Sequence, residues 1–148
     1  MNTRTSVVLL LIGLAFALSG TALGQSPPPA APCFYTEPQL IELLKKIYDW
    51  PAFEKLVFIT ADGQAFIFGG GDPNEVTIKF SYLIRTLARK GQDLGTVTNI
   101  VHNHKREFVD FSLADIILCE QFRKLGFTGE FQIFFPQTGK IKTLKRKE

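Results

Sequence analysis

At 148 residues and a formal charge of +3, the chain suits a single domain with one core and is too weakly basic to imply nucleic acid by itself. Fourteen Phe against one Met point to a firm aromatic core, and no internal repeat is visible.

The first residues carry a basic Arg4, an apolar run over 7–18 and then small residues, with Ala22 and Gly24 at −3 and −1 of a cut before Gln25. This pattern predicts a secretory signal peptide over residues 1–24. A membrane anchor is the competing reading, but about a dozen apolar residues fall short of the ~20 that a spanning helix needs. No L-x-x-C precedes Cys33, which argues against a lipoprotein. The expectation is a secreted or periplasmic protein with no stable membrane anchor after cleavage. About 124 residues then remain and the charge drops to +2 with the loss of Arg4.

Residues 25–36 open with QSPPPAAP and read as a flexible Pro-rich leader before a domain over 37–148. EPQLIELLKKIYDW spaces Leu40, Leu43, Leu44 and Ile47 as one helical face, with Thr36 as N-cap, Pro38 in the first turn and Pro51 as the stop. KLVFIT and QAFIFGG are two strands around an Asp62-Gly63 turn. Asp72-Pro73 opens a second helix reaching about Lys90, with a stripe of Val76, Phe80, Leu83, Ile84 and Leu87, and Gly91 as its stop. FQIFFP and KIKTLK close the chain as two strands around residues 137–139, and KRKE is a solvated tail.

Between these elements lies TVTNIV, a buried strand leading into VHNHKREFVDF, and then SLADIILCEQFRKL, an amphipathic helix that stops at Gly126. The order is helix, hairpin, helix, strand, helix, hairpin, which predicts an α/β fold: a mixed sheet flanked by helices. Residues two apart on a strand face the same way. If the strand continues through His104, His102 and His104 project from one side and can share one ion, while Asn103 takes a structural place on the opposite face. Asp115 returns from the first helical turn as an oxygen ligand. Two His and one carboxylate are a common zinc set that leaves a fourth position open for water, although such sites also hold iron or manganese. S-x-x-D at a helix start is equally a capping box, with Ser112 as N-cap and Asp115 at N3. Glu107 and Asp110 are further carboxylates that could substitute as ligands. Export permits a Cys33–Cys119 disulfide; a buried thiol at Cys119, on the inner face of its helix, is the alternative.

The arrangement H-x-H, seven residues, S-x-x-D, carried by His102, His104, Ser112 and Asp115, resembles the signature of the JAMM (MPN-plus) zinc metalloproteases. With Asn103 between the histidines it is similar to the RadC-type branch of that family. The family usually has Pro after the second His, where this chain has Lys105, and the loop 105–111 lacks the Pro and Gly typical of RadC-type proteins. The resemblance covers about residues 37–144. It implies a JAB/MPN (deaminase-like) architecture, Zn2+ at His102, His104 and Asp115, and hydrolysis of an amide bond by zinc-activated water. It also implies an acid–base Glu at the start of the first strand, roughly fifty residues before H-x-H. Glu54 fits by order and distance; Glu75, at the start of the second helix, is the alternative. Ser112 would support the metal's water or the oxyanion.

The resemblance therefore implies a secreted zinc metallopeptidase or isopeptidase with a peptide or protein substrate, such as a cell-wall peptide. A non-catalytic JAMM-like binding module is a second class. A RadC-like role with nucleic acid is a third, opposed by the export signal and the weak charge. The HNH nucleases are a separate matter, since their residues are dispersed through a ββα unit.

Overall fold

The computed structural model describes residues 31–48, 53–69, 79–105 and 109–145. The expected signal peptide, most of the Pro-rich leader, Glu75, Glu107 and the end of the basic tail lie outside them. Among the described residues, no helix is long and apolar enough to cross a membrane.

Among the described residues three helices and five strands follow in the expected order: α1 (Glu37–Ile47), β1 (Lys55–Thr60), β2 (Ala65–Gly69), α2 (Phe80–Ala88), β3 (Val97–Asn103), α3 (Leu113–Lys124), β4 (Glu130–Phe135) and β5 (Lys140–Thr143). They build one mixed sheet in the order β2-β1-β3-β4-β5. Only β3 and β4 run parallel, and a parallel pair needs a crossover, which α3 provides. As the central strand, β3 is buried at every position, so the segment that ends in the H-x-H motif is the best-supported part of the sheet.

Alternation along the strands sorts the core into two layers. Leu56, Phe58, Ile100 and Phe131 pack with Leu83 and Leu87 of α2 and Leu118, Cys119 and Phe122 of α3. On the other face Val57, Ile59, Val101 and Phe134 pack with Leu40, Leu44 and Tyr48. The sheet thus lies between α1 and the α2/α3 pair.

Local chemistry explains the element ends. Thr36 precedes α1, and its N–H donates to Gln39 Oε1 at 3.0 Å, half of a capping box. The β1–β2 turn needs Gly63, whose φ of +85° lies in the left-handed region that side chains disfavour. Gly129 is required for a different reason: a Cβ there would lie 2.1 Å from the Thr98 carbonyl oxygen, so glycine alone lets β4 enter beside β3.

Three expectations change. Lys79 is extended, and α2 begins at Phe80, so no continuous helix runs from Asp72 to Lys90. Asp72 and Val76 themselves lie outside the described residues. Within α2, Leu83 and Leu87 are buried while Ile84 is exposed. Tyr35, at the end of the expected leader, packs on the α1-side core and its hydroxyl donates to the Gly63 carbonyl at 2.8 Å. Finally, no disulfide joins Cys33 and Cys119. Cys119 belongs to the α2/α3 core, whereas Cys33 lies in the segment leading into α1, across the sheet.

Candidate metal centre

The C-terminal end of β3 delivers the two histidines. His104 lies one residue past the strand, but its N–H still donates to the Phe134 carbonyl at 3.0 Å, which keeps it in sheet geometry. His102 and His104 therefore share a face, with their Nε2 atoms 3.1 Å apart. Asp115 arrives from the first turn of α3, its Oδ1 3.2 Å from His102 Nε2 and its Oδ2 3.8 Å from His104 Nε2. One ligand atom from each residue falls within a 4.8 Å cluster, and all three residues are buried.

The spacing suits a common cation better than hydrogen bonding alone. A tetrahedral set at zinc's ~2.0–2.1 Å bond length has edges of about 3.3–3.4 Å, close to the two shortest separations. His102 Nε2 faces both His104 Nε2 and Asp115 Oδ1, and a single proton there cannot serve both acceptors well. A cation at the centre satisfies all three atoms. His102, His104 and Asp115 thus form a group that can hold a metal ion.

The surroundings favour the ligating protonation states. The His102 ring is walled by Phe131 at 5.4 Å and Phe111 at 6.3 Å between ring centres, and His104 has Phe135 at 6.4 Å. Burial and then the neighbouring His102 lower the pKa of His104 to about 4, against the opposing pull of Asp115, the Val109 backbone and Asp110. For Asp115 burial works upward. It is outweighed by the hydrogen bond and charge of His102 and by the bonds from Ser112, which bring the pKa down to about 2. At neutral pH the set presents a carboxylate and a neutral His104 imidazole, the forms that bind metal.

Ser112 and Asp115 form a reciprocal cap at the start of α3. Asp115 N–H donates to Ser112 Oγ at 3.2 Å, while Ser112 N–H and Oγ–H donate to Asp115 Oδ2 at 2.7 and 2.8 Å. Those bonds occupy Oδ2 and leave Oδ1 facing His102 Nε2. The capping box takes up one carboxylate oxygen and leaves the other toward His102, so a cap and a metal ligand are compatible at Asp115. The Ser112 hydroxyl accordingly orients Asp115. Ser112→Ala is expected to cost about 1 kcal/mol of stability through the lost cap and ~10–100-fold in metal affinity through the lost orientation. Denaturant titration and competition with a chromophoric chelator would measure the two; unchanged metal affinity would refute the orienting role.

Asp110 does not join the ligand group. Its carboxylate is exposed, pairs with Lys142 Nζ at 2.9 Å and accepts from Phe111 N–H, tying the end of the motif loop to β5. β1 and β3 pair antiparallel with Leu56 opposite His102, and Lys55 and Asn103 are joined one step further by a 2.9 Å bond. Glu54 precedes Lys55 by one residue, beyond the last paired residues Leu56 and His102, and strand alternation would set it on the face that carries His102. Glu54 is a buried carboxylate, 4% exposed.

Sequence reasoning missed the aromatic walls Phe111 and Phe131, and the part played by Tyr48. Its hydroxyl lies 3.0 Å from both the Lys55 and the Val101 carbonyls, which share its single proton. Burial and the nearby Glu54 charge push its phenol well above the usual value, so it remains a donor. Only the tertiary pairing of β1 with β3 could have shown this contact. No protein-family model, curated protein or solved structure matches this chain.

Proposed function

We propose that the chain is an exported zinc-dependent hydrolase of amide bonds, a metallopeptidase or isopeptidase of JAMM type. The observation that carries this reading is the convergence of His102, His104 and Asp115 on one point, with a buried carboxylate, Glu54, just before the strand that pairs with β3. Zinc fits the donor set of two imidazoles and a carboxylate, and three protein ligands leave a coordination position for substrate chemistry.

Bound there, zinc would supply Lewis acidity and a water pKa lowered from 15.7 to about 7. The remaining work falls to the chain. Asp115 Oδ1 and the two Nε2 atoms hold the ion, and Ser112 holds Asp115. Glu54 is the proton carrier: it takes a proton from the attacking water and returns one to the departing amine nitrogen. A buried carboxylate beside an aromatic-walled site suits that task, because exclusion of water strengthens its interaction with developing charge. Glu75, the alternative for this role, lies outside the described residues.

A peptide or protein substrate suits the rim better than a nucleic acid. Phe53, Val109 and Leu113 are exposed apolar side chains that neighbour Glu54, the motif loop and the start of α3. Export, read from residues 1–24, directs the proposal to extracytoplasmic peptides.

The test is a screen of zinc-loaded mature protein against a peptide library, with hydrolysis read by mass spectrometry. Cleavage that a chelator stops and added zinc restores supports the proposal. Stoichiometric zinc with no cleavage of any peptide would instead favour a non-catalytic binding module.

A further inference from the structure

The backbone that carries Glu54 lies at the very start of β1, where strand ends fray unless they are tied down. The β1–β3 ladder reaches only to Leu56 and His102, and the β1–β2 ladder only to Lys55 and Gly69. Beyond them the chain is held by side chains. Asn103 Oδ1 accepts from the Lys55 N–H at 2.9 Å, and Asn103 Nδ2 donates to the Phe53 carbonyl at 3.2 Å. One amide thus grips the residue on each side of Glu54. Tyr48 holds the Lys55 carbonyl from the α1 side, and Lys55 Nζ donates to the Ile47 carbonyl at 2.9 Å.

We propose that Asn103 is a positioning residue for Glu54, fixing the carboxylate by clamping Phe53 and Lys55. The inference rests on the reading of Glu54 as the proton carrier. Its strength is the chemistry of the clamp. Position 103 is fully buried, and a buried amide is tolerated only when its donor and acceptor are used. Asp at this site would keep the acceptor for Lys55 but set a carboxylate against the Phe53 carbonyl. Leu has the same shape and offers neither bond.

The placement also couples two parts of the site. The two-residue step that puts both imidazoles on the α3 face sends Asn103 to the α1 face. One three-residue stretch therefore sets the ligands on one side and the proton carrier's backbone from the other. A shift of β3 moves ligands and clamp together, which preserves the distance between them.

The experiment uses zinc-loaded full chain with Asn103→Leu, Asn103→Asp, Glu54→Gln and the Asn103→Leu/Glu54→Gln double variant. Readouts are zinc per chain, kcat and KM on the best peptide of the screen, and hydrogen exchange at the Lys55 amide. Asn103→Leu is expected to keep about one zinc and an unchanged KM, to lose on the order of 10²-fold in kcat, and to lose protection at Lys55. Asn103→Asp, with one bond kept, is expected to fall between it and wild type. Adding Asn103→Leu to Glu54→Gln should cost nothing further, because the clamp acts only through Glu54. Wild-type kcat in Asn103→Leu, or an undiminished loss in the Glu54→Gln background, would overturn the proposal. Should Asn103→Leu fail to fold, a wild-type kcat in Asn103→Asp would overturn it. If Glu54→Gln itself turns over at the wild-type rate, the functional reading fails instead, and Lys55 protection still reports whether the clamp exists.

Discussion

Glu54→Gln is expected to lower kcat by ~10²–10⁴-fold, the usual worth of general acid–base help, while zinc stoichiometry and fold stay as in wild type. The substitution keeps the side chain's size and removes its ability to take up and return a proton. Glu54 is not one of the three ligands that converge at the centre, so metal should remain. A place on the sheet face that carries the histidines is what would make the loss specific: a buried carboxylate elsewhere on β1 would affect stability and leave kcat alone. Single-turnover kinetics at saturating substrate, beside metal analysis of the same sample, separates the two. Full activity in Glu54→Gln with zinc bound would remove Glu54 from the mechanism and move attention to Glu75.

The metal-free protein is expected to weaken as pH falls from 6.5 towards 4. The pKa of His104 is near 4 when folded against 6.5 for an ordinary His. Between those values the unfolded chain binds more protons than the folded one, so stability drops as the pH is lowered. The gap corresponds to at most ~3 kcal/mol. Asp115 acts in the same direction at lower pH: its carboxylate pKa is about 2 in the fold against 3.8, so its contribution is lost as pH falls from 3.8 to 2. Zinc binds only the deprotonated set, and at a free concentration 1,000 times its Kd it would add about 4 kcal/mol. Urea midpoints across pH 4–7, with chelator and with zinc, test this. A chelated protein whose stability is flat over that range, or one unmoved by zinc, would contradict it.

Much of the fold was legible because it is written in short-range chemistry. Asp62-Gly63 announced the hairpin, Pro38 and Thr36 the start of α1, and the two-residue step from His102 to His104 the shared face. The ligand set was legible for the same reason, since one strand and the first turn of the next helix supply all of it. What stayed hidden depends on strand register. Nothing near Asn103 in the chain says that its amide will meet Phe53 and Lys55, and Tyr48 lies 53 residues from the Val101 carbonyl it serves. The expected helix start at Asp72 lies outside the described residues, whose helix α2 begins at Phe80. Ser112 needed coordinates for another reason: sequence offers a cap or a ligand, and only geometry shows that the cap uses one carboxylate oxygen and leaves the other facing His102.

The most direct test of the account is metal content by mass spectrometry. It compares the mature protein, purified without a His tag, with a His102→Ala/His104→Ala variant. About one zinc per chain, lost in the variant while the fold persists by circular dichroism, is the result expected. No metal in either protein, even after zinc is offered, would contradict the metal centre and leave Ser112 and Asp115 as a helix cap.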